Sequence, residues 1–149
     1  AFGKHVIEQW CDAAVARSEL TIVSIRPSWV QNLDTYERNL GPHVRAPDEP
    51  SLGFWSYTDN RDLAAAIRLA AEGSTPGHEV VYIAQPDNCT GRSLAELVAT
   101  AFPDAAIELR DEGAPDASGI SSAKAERLLG WKPRHSWRDV LDADGRSTT

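Results

Sequence analysis

The chain has 149 residues and carries 15 Lys and Arg against 22 Asp and Glu, a formal charge of −7. That length suits one domain with a real core. The acidic balance argues against nucleic acid or an anionic membrane as main partner, since both need a basic face, while leaving room for a local basic pocket. No apolar run approaches the ~20 residues that span a bilayer.

Residues 1 to about 17 read as an amphipathic helix, with Phe2, Val6, Trp10 and Ala13 on one stripe, Ile7, Cys11 and Ala14 beside it, and Lys4, Glu8 and Asp12 on a polar stripe. After Ser18-Glu19 comes Leu20–Ile25, four of whose six residues are Leu, Ile or Val. This suits a short strand buried on both faces of a parallel sheet, ended by Pro27, which lacks an N–H. Ligands in open α/β sheets bind beyond the carboxyl ends of strands, so Arg26–Gln31 is the first place to look for a site.

Asp34–Leu40 suits a short helix closed by Gly41-Pro42, and His43–Gly53 a loop by its proline and glycine content. Phe54–Tyr57 is an aromatic strand candidate. Asp59 or Asn60 then caps a helix to about Glu72, with Asp62 in its first turn and Leu63, Ala66, Ile67 and Ala70 as its apolar face. Glu79–Ala84 is a second buried strand. Thr90 suits the cap of a helix from about Arg92 to Ala101, and Ala106–Leu109 a short strand. Ser121 or Ser122 starts a last helix ending at Gly130, Trp131 and Trp137 pack the tail, and residues from Asp142 on are expected to fray. The order predicts an α/β layered fold.

Cys11 and Cys89 match no metal or redox spacing and read as reduced thiols of a cytoplasmic protein. His5, His43, His78 and His135 show no ligand spacing, no metal site is expected, and the acidic residues Asp111, Glu112 and Asp116 read as a solvated loop. The chain begins at Ala1 within a helical pattern and has no Met, which reads as part of a longer polypeptide.

Four segments resemble the extended short-chain dehydrogenase/reductases, also called NAD-dependent epimerase/dehydratases. Ala1-Phe2-Gly3-Lys4 with Glu8 resembles the end of that family's Tyr-x-x-x-Lys helix. Leu20–Val30 resembles the strand and Arg-Pro loop that follow. Trp55-Ser56-Tyr57 through Arg61–Ala64 and Ile67 resembles the segment that closes over substrate, and Ser122–Pro133 the C-terminal signature of sugar-nucleotide enzymes. The likeness covers the family's second half. The Tyr would fall one position before Ala1, and no Gly-x-x-Gly-x-x-Gly turn is present to hold a pyrophosphate.

The resemblance implies a partial Rossmann-like parallel sheet (residues 1–31 and 74–90) with a small α/β substrate-binding subdomain (32–73 and 91–141) and a tail (142–149). It implies NAD or NADP as cofactor of the parent, and a nucleotide sugar or similar polar small molecule as substrate. It also implies a homodimer formed through the first helix. Lys4 would be catalytic and hydrogen-bond the nicotinamide ribose, its charge favouring the Tyr phenolate. Read without the family, Lys4 simply pairs with Glu8 on an exposed face. Pro27, Ser28, Trp29 and Val30 would sit against the nicotinamide. The family's Asn-Val-Tyr-Gly-Pro is here replaced, which points Trp29 toward substrate or toward ordinary core. Tyr36, Asn39, Trp55, Tyr57 and Arg61 would line the substrate side, with Arg61 either holding an anion or solvated at a helix start.

On this reading the chain alone lacks the glycine-rich motif and the Tyr, and is expected to be inactive. The alternatives from the residues are a non-catalytic nucleotide-binding α/β regulator and an independent small α/β interaction domain.

Overall fold

A computed structural model of the chain describes residues 2–47, 49, 51, 53–109 and 113–148. Its elements in order are α1 (Phe2–Val15), β1 (Ile22–Pro27), β2 (Trp29–Gln31), α2 (Tyr36–Asn39), α3 (Gly41–Arg45), β3 (Tyr57–Asp59), α4 (Asn60–Glu72), β4 (His78–Ile83), α5 (Leu94–Ala101) and α6 (Ala123–Leu129), then a 3₁₀ turn at Trp137–Asp139. The fold is mixed α/β, and both strand pairs, β1–β4 and β2–β3, are parallel. This is consistent with part of a Rossmann-like sheet.

Register and period-two alternation assign the faces of the larger pair. Ile22 lies opposite His78 and Pro27 opposite Ile83, so Val23, Ile25, Val81 and Ile83 share one face. That face packs with Ala66 of α4, Ala125 of α6 and Trp131. A second cluster gathers Tyr36, Leu40, Trp55, Tyr57, Leu97 and Trp137.

The face of β1–β4 toward α1 is polar, which corrects two expectations, a Lys4–Glu8 pair and a β1 buried on both faces. Arg26 Nε donates to Glu8 Oε1 at 2.7 Å and its outer nitrogens reach Glu8 Oε2 and the Tyr82 hydroxyl. His78 lies 2.8 Å from both Asp12 Oδ1 and Ser24 Oγ. The Lys4–Glu8–Asp12 stripe therefore turns toward the sheet, because carboxylates there find partners. The apolar stripe is outside: Phe2, Ile7 and Trp10 are 81, 62 and 75 % exposed. Nor is β1 buried on both faces, since each of Ile22–Arg26 is only half-buried.

Several boundaries move for local reasons. Pro42 does not end a helix but sits in the first turn of α3, where its missing N–H costs nothing. Phe54 and Trp55 adopt left-handed backbone (φ +51° and +55°), so the chain turns there and β3 begins only at Tyr57. Ala106–Leu109 is not a strand and is exposed. Ile67 faces out of α4, at 53 % exposure, while Asp62 is buried in its place. The residues expected to fray instead close a turn: Thr148 N donates to Val140 O, and Gly145 (φ +65°) lies so close to Gly41 that a side chain at either would collide. Asp111 and Glu112 lie outside the described residues, as does Ala1.

Candidate functional site

The carboxyl ends of β1 and β4 meet β3 at Thr58. Its buried hydroxyl donates to Ile83 O at 2.7 Å and accepts from Ser28 N at 3.1 Å, tying β3 to the ends of β4 and β1. Beyond this junction Pro27, Trp29 and Val30 are exposed and Ser28 is half-buried. Trp29 lies edge-on to His43, ring centres 5.7 Å apart. Burial lowers the His43 pKa, favouring a neutral imidazole. The result is a mostly apolar, solvent-facing strip where α/β sheets hold ligands.

The substrate-side candidates divide. Tyr36, Trp55 and Tyr57 are buried and their polar atoms are spent internally: Tyr36 on Asp59, Tyr57 on Asp87, and Trp55 on Glu49 O. They belong to the second core cluster. Asn39 donates to Gln31 Oε1 at 2.9 Å. Arg61 grips Asp59 with two nitrogens, at 2.9 and 2.7 Å.

Asp59 was legible as a cap but not as the centre of a cluster. It is fully buried, accepts from Tyr36, the Arg61 side chain and Arg61 N, and caps α4. Burial disfavours its charge, but the Arg61 and Tyr36 hydrogen bonds outweigh that and bring its pKa from 3.8 to about 2. Its ionised form therefore stabilises the fold fully above about pH 5, and that contribution fades as pH falls through 4 toward 2. A shift of this size corresponds to at most about 2 kcal/mol. Urea midpoints from pH 6 to pH 2 should show the gap between the wild type and Asp59→Asn closing at the acid end.

Beyond the end of β4, at Ala84–Pro86, lies a groove of about 930 Å³, large enough for a small-molecule ligand. Phe54, Gln85, Pro86, Val98, Ser118 and Trp131 are among its lining. Two left-handed aromatic residues in succession are strained; the turn is held where Gly119 meets Phe54, since a Cβ on Gly119 would lie 2.3 Å from Phe54 Cβ. Gln85 was not found from sequence. It is fully buried, and its Nε2 donates to Asp62 Oδ2 and His135 O. Two acceptors on that side orient the amide. Oε1 is left with no partner among the described residues, a buried acceptor suited to a donor.

Asp62 ties this region to the C-terminal segment. Its carboxylate accepts from Arg134 N, His135 N and Gln85 Nε2, and lies 2.9 Å from His135 Nδ1, while Trp131 Nε1 donates to its carbonyl. These partners are 23 to 73 residues away, so no spacing rule could have found them.

Lys4 is exposed in the first turn of α1, with no hydrogen-bond or ion-pair partner among the described residues. Glu8 meets Arg26 near the carboxyl end of β1, whereas Asp12 meets His78 at the start of β4. Thus α1 runs antiparallel to the strands, and Lys4 lies one turn, about 6 Å, further toward their carboxyl ends. Among the described residues no group of three His, Cys, Asp or Glu could hold a metal, and no helix is long and apolar enough to cross a membrane. Cys11 and Cys89 are free, and burial pushes the Cys89 thiol up to about 12.

No protein-family model matches the chain, and no curated protein matches it. Among solved structures it is similar to MoeE5 in complex with UDP-glucuronic acid and NAD, at 22 % identity over 88 % of this chain and 48 % of that one, with a TM-score of 0.49. The chain spans about half the length of that protein.

Proposed function

We propose that residues 1–149 form the C-terminal, substrate-facing part of an NAD(P)-dependent epimerase, dehydratase or reductase. The enzyme would transfer a hydride between the nicotinamide and a hydroxyl or keto carbon of a nucleotide sugar or similar polar molecule. One observation carries this reading: the carboxyl ends of the parallel strands bear both the exposed Pro27–Val30 strip and the groove containing Gln85. The strip offers a water-excluding wall to a nicotinamide ring. No glycine-rich turn is present to hold the pyrophosphate, so that part of the cofactor site would lie outside these residues. Lys4 would assist a Tyr that is also supplied from outside them. Gln85 Oε1 and the groove would receive the neutral, donor-bearing part of the substrate. The exposed Phe2, Ile7 and Trp10 of α1 would be covered in a homodimer.

UDP-glucuronic acid, the nucleotide sugar bound in MoeE5, serves as the probe. Calorimetry should show the 149-residue chain binding the nucleotide sugar and NAD only weakly. A polypeptide completed by a glycine-rich strand-turn-helix and by Tyr directly before Ala1 should reduce NAD or NADP on a nucleotide sugar, and should have the mass of two subunits in solution. A folded, completed chain that neither binds nor oxidises any nucleotide sugar overturns the proposal.

A further inference from the structure

Four of the chain's 15 Lys and Arg, namely Arg61, Arg68, Lys132 and Arg134, line a single cleft of about 370 Å³, together with His135. The cleft lies between Arg61–Leu69 of α4 and the Gly130–His135 segment; Trp131 borders both it and the groove, Pro133 faces the groove, and Lys132, Arg134 and His135 face the cleft. In a chain of charge −7, this local gathering of cations is against the overall trend.

The acids nearby do not fill it. Among the described residues the acid on its lining is Asp62, which is 2 % exposed and occupied by Arg134 N, His135 N, His135 Nδ1 and Gln85 Nε2. Arg61 is held by Asp59, but its side chain remains 39 % exposed. Arg68 pairs with Glu72, and Lys132 with Glu126, through side chains 57 to 75 % exposed. Pairs this exposed are worth little and exchange readily for another anion. The Arg134 side chain has no partner among the described residues, although its backbone is fixed by Asp62. The imidazole of His135 is likewise held through Nδ1, leaving Nε2 as its second polar atom.

We infer that this cleft is an anion site for a phosphoryl group, separate from the groove. The planar guanidinium forks of Arg68 and Arg134 suit two phosphate oxygens each, Lys132 adds a point charge, and the buried Asp62 network holds the Arg134–His135 backbone in place before the ligand arrives. The groove by contrast carries no Lys or Arg among its described lining residues. The phosphoryl group could belong to free phosphate or diphosphate, or to a nucleotide.

The test is calorimetry on the 149-residue chain in a phosphate-free, low-salt buffer, with inorganic phosphate, pyrophosphate and UDP as probes. Pyrophosphate should bind one per chain, and Lys132→Gln with Arg134→Gln should weaken it at least tenfold while the thermal midpoint stays unchanged. Arg68→Gln provides an independent variant on another element and should weaken it several-fold. If UDP is weakened equally, the source is a nucleotide; if only the inorganic ions are affected, the source is a free anion; both support the site. Binding that is unchanged in all variants, or no binding to the folded chain at millimolar pyrophosphate, overturns it. This outcome is independent of the hydride-transfer proposal, whose readout is nicotinamide reduction.

Discussion

Asp62→Ala should destabilise the chain by about 3–5 kcal/mol, far more than the loss of an exposed ion pair. Removing the carboxylate strands one buried Gln85 N–H and the partly buried Arg134 and His135 backbone N–H groups, where an unmet buried donor costs about 1–3 kcal/mol and a partly buried one less. Relaxation and water entry keep the total below the sum. The change should also loosen the join between α4 and the Gly130–His135 segment, so Trp131 should become more accessible to a fluorescence quencher. Urea unfolding followed by circular dichroism measures the first effect. Asp62→Asn should recover part of the loss, because its carbonyl still accepts while its amide faces the same donors. Glu72→Ala, which breaks an exposed ion pair on the same helix, should change stability by less than about 0.5 kcal/mol. A difference below about 1 kcal/mol between the two alanine variants would show that the Asp62 network is not a unit of the fold.

Lys4→Ala should lower kcat of the completed enzyme by about 100-fold or more, within the range expected when general acid–base chemistry loses its support. The physical reason is electrostatic. An ammonium beside a phenol favours the phenolate and lowers its pKa, so removing the charge raises that pKa. The rate should then rise through its acid limb at higher pH in Lys4→Ala than in the parent. Lys4→Arg keeps the charge and should restore part of the rate. A merely structural role would leave the pH profile in place. The geometry supports the test, because α1 runs antiparallel to β1 and Lys4 lies on the stripe that Glu8 and Asp12 direct to the sheet. Unfolding should barely respond, since Lys4 is exposed and unpaired among the described residues. A completed enzyme that keeps half its rate without the ammonium would remove Lys4 from the chemistry.

What was legible in the sequence is what depends on near neighbours. The apolar run before Pro27 marked a strand, and the exposed strip at its carboxyl end follows from strand length and a proline. Asp59 ahead of an alanine-rich segment marked a helix start, and Gly130, at φ +65°, marked a helix end. These are one-turn effects, decided by capping, missing N–H groups and backbone freedom.

Other features were decided by groups far apart in the chain. Hydrophobic periodicity put Phe2 and Trp10 on one stripe without saying which way it faces; the sheet face beneath α1 carries Ser24, Arg26 and His78, so burying the apolar stripe there would have left those polar groups unpaired. The helix is turned instead to put Glu8 and Asp12 against them. The family resemblance placed Tyr36 and Tyr57 in segments lining the substrate side, and in the structure each hydroxyl is satisfied by a carboxylate 23 or 30 residues away and the rings are core. Gln85, His135 and Arg134 carried no local signal at all. They matter because the fold brings them to Asp62 and leaves one amide oxygen and one guanidinium without partners among the described residues. The sequence by itself determined the longer helices, the two longer strands and the end of the sheet where α/β folds hold ligands. Only the tertiary structure decided which polar groups are consumed in holding the fold and which are left over to bind something else, because hydrogen-bond satisfaction depends on pairings that local sequence does not encode.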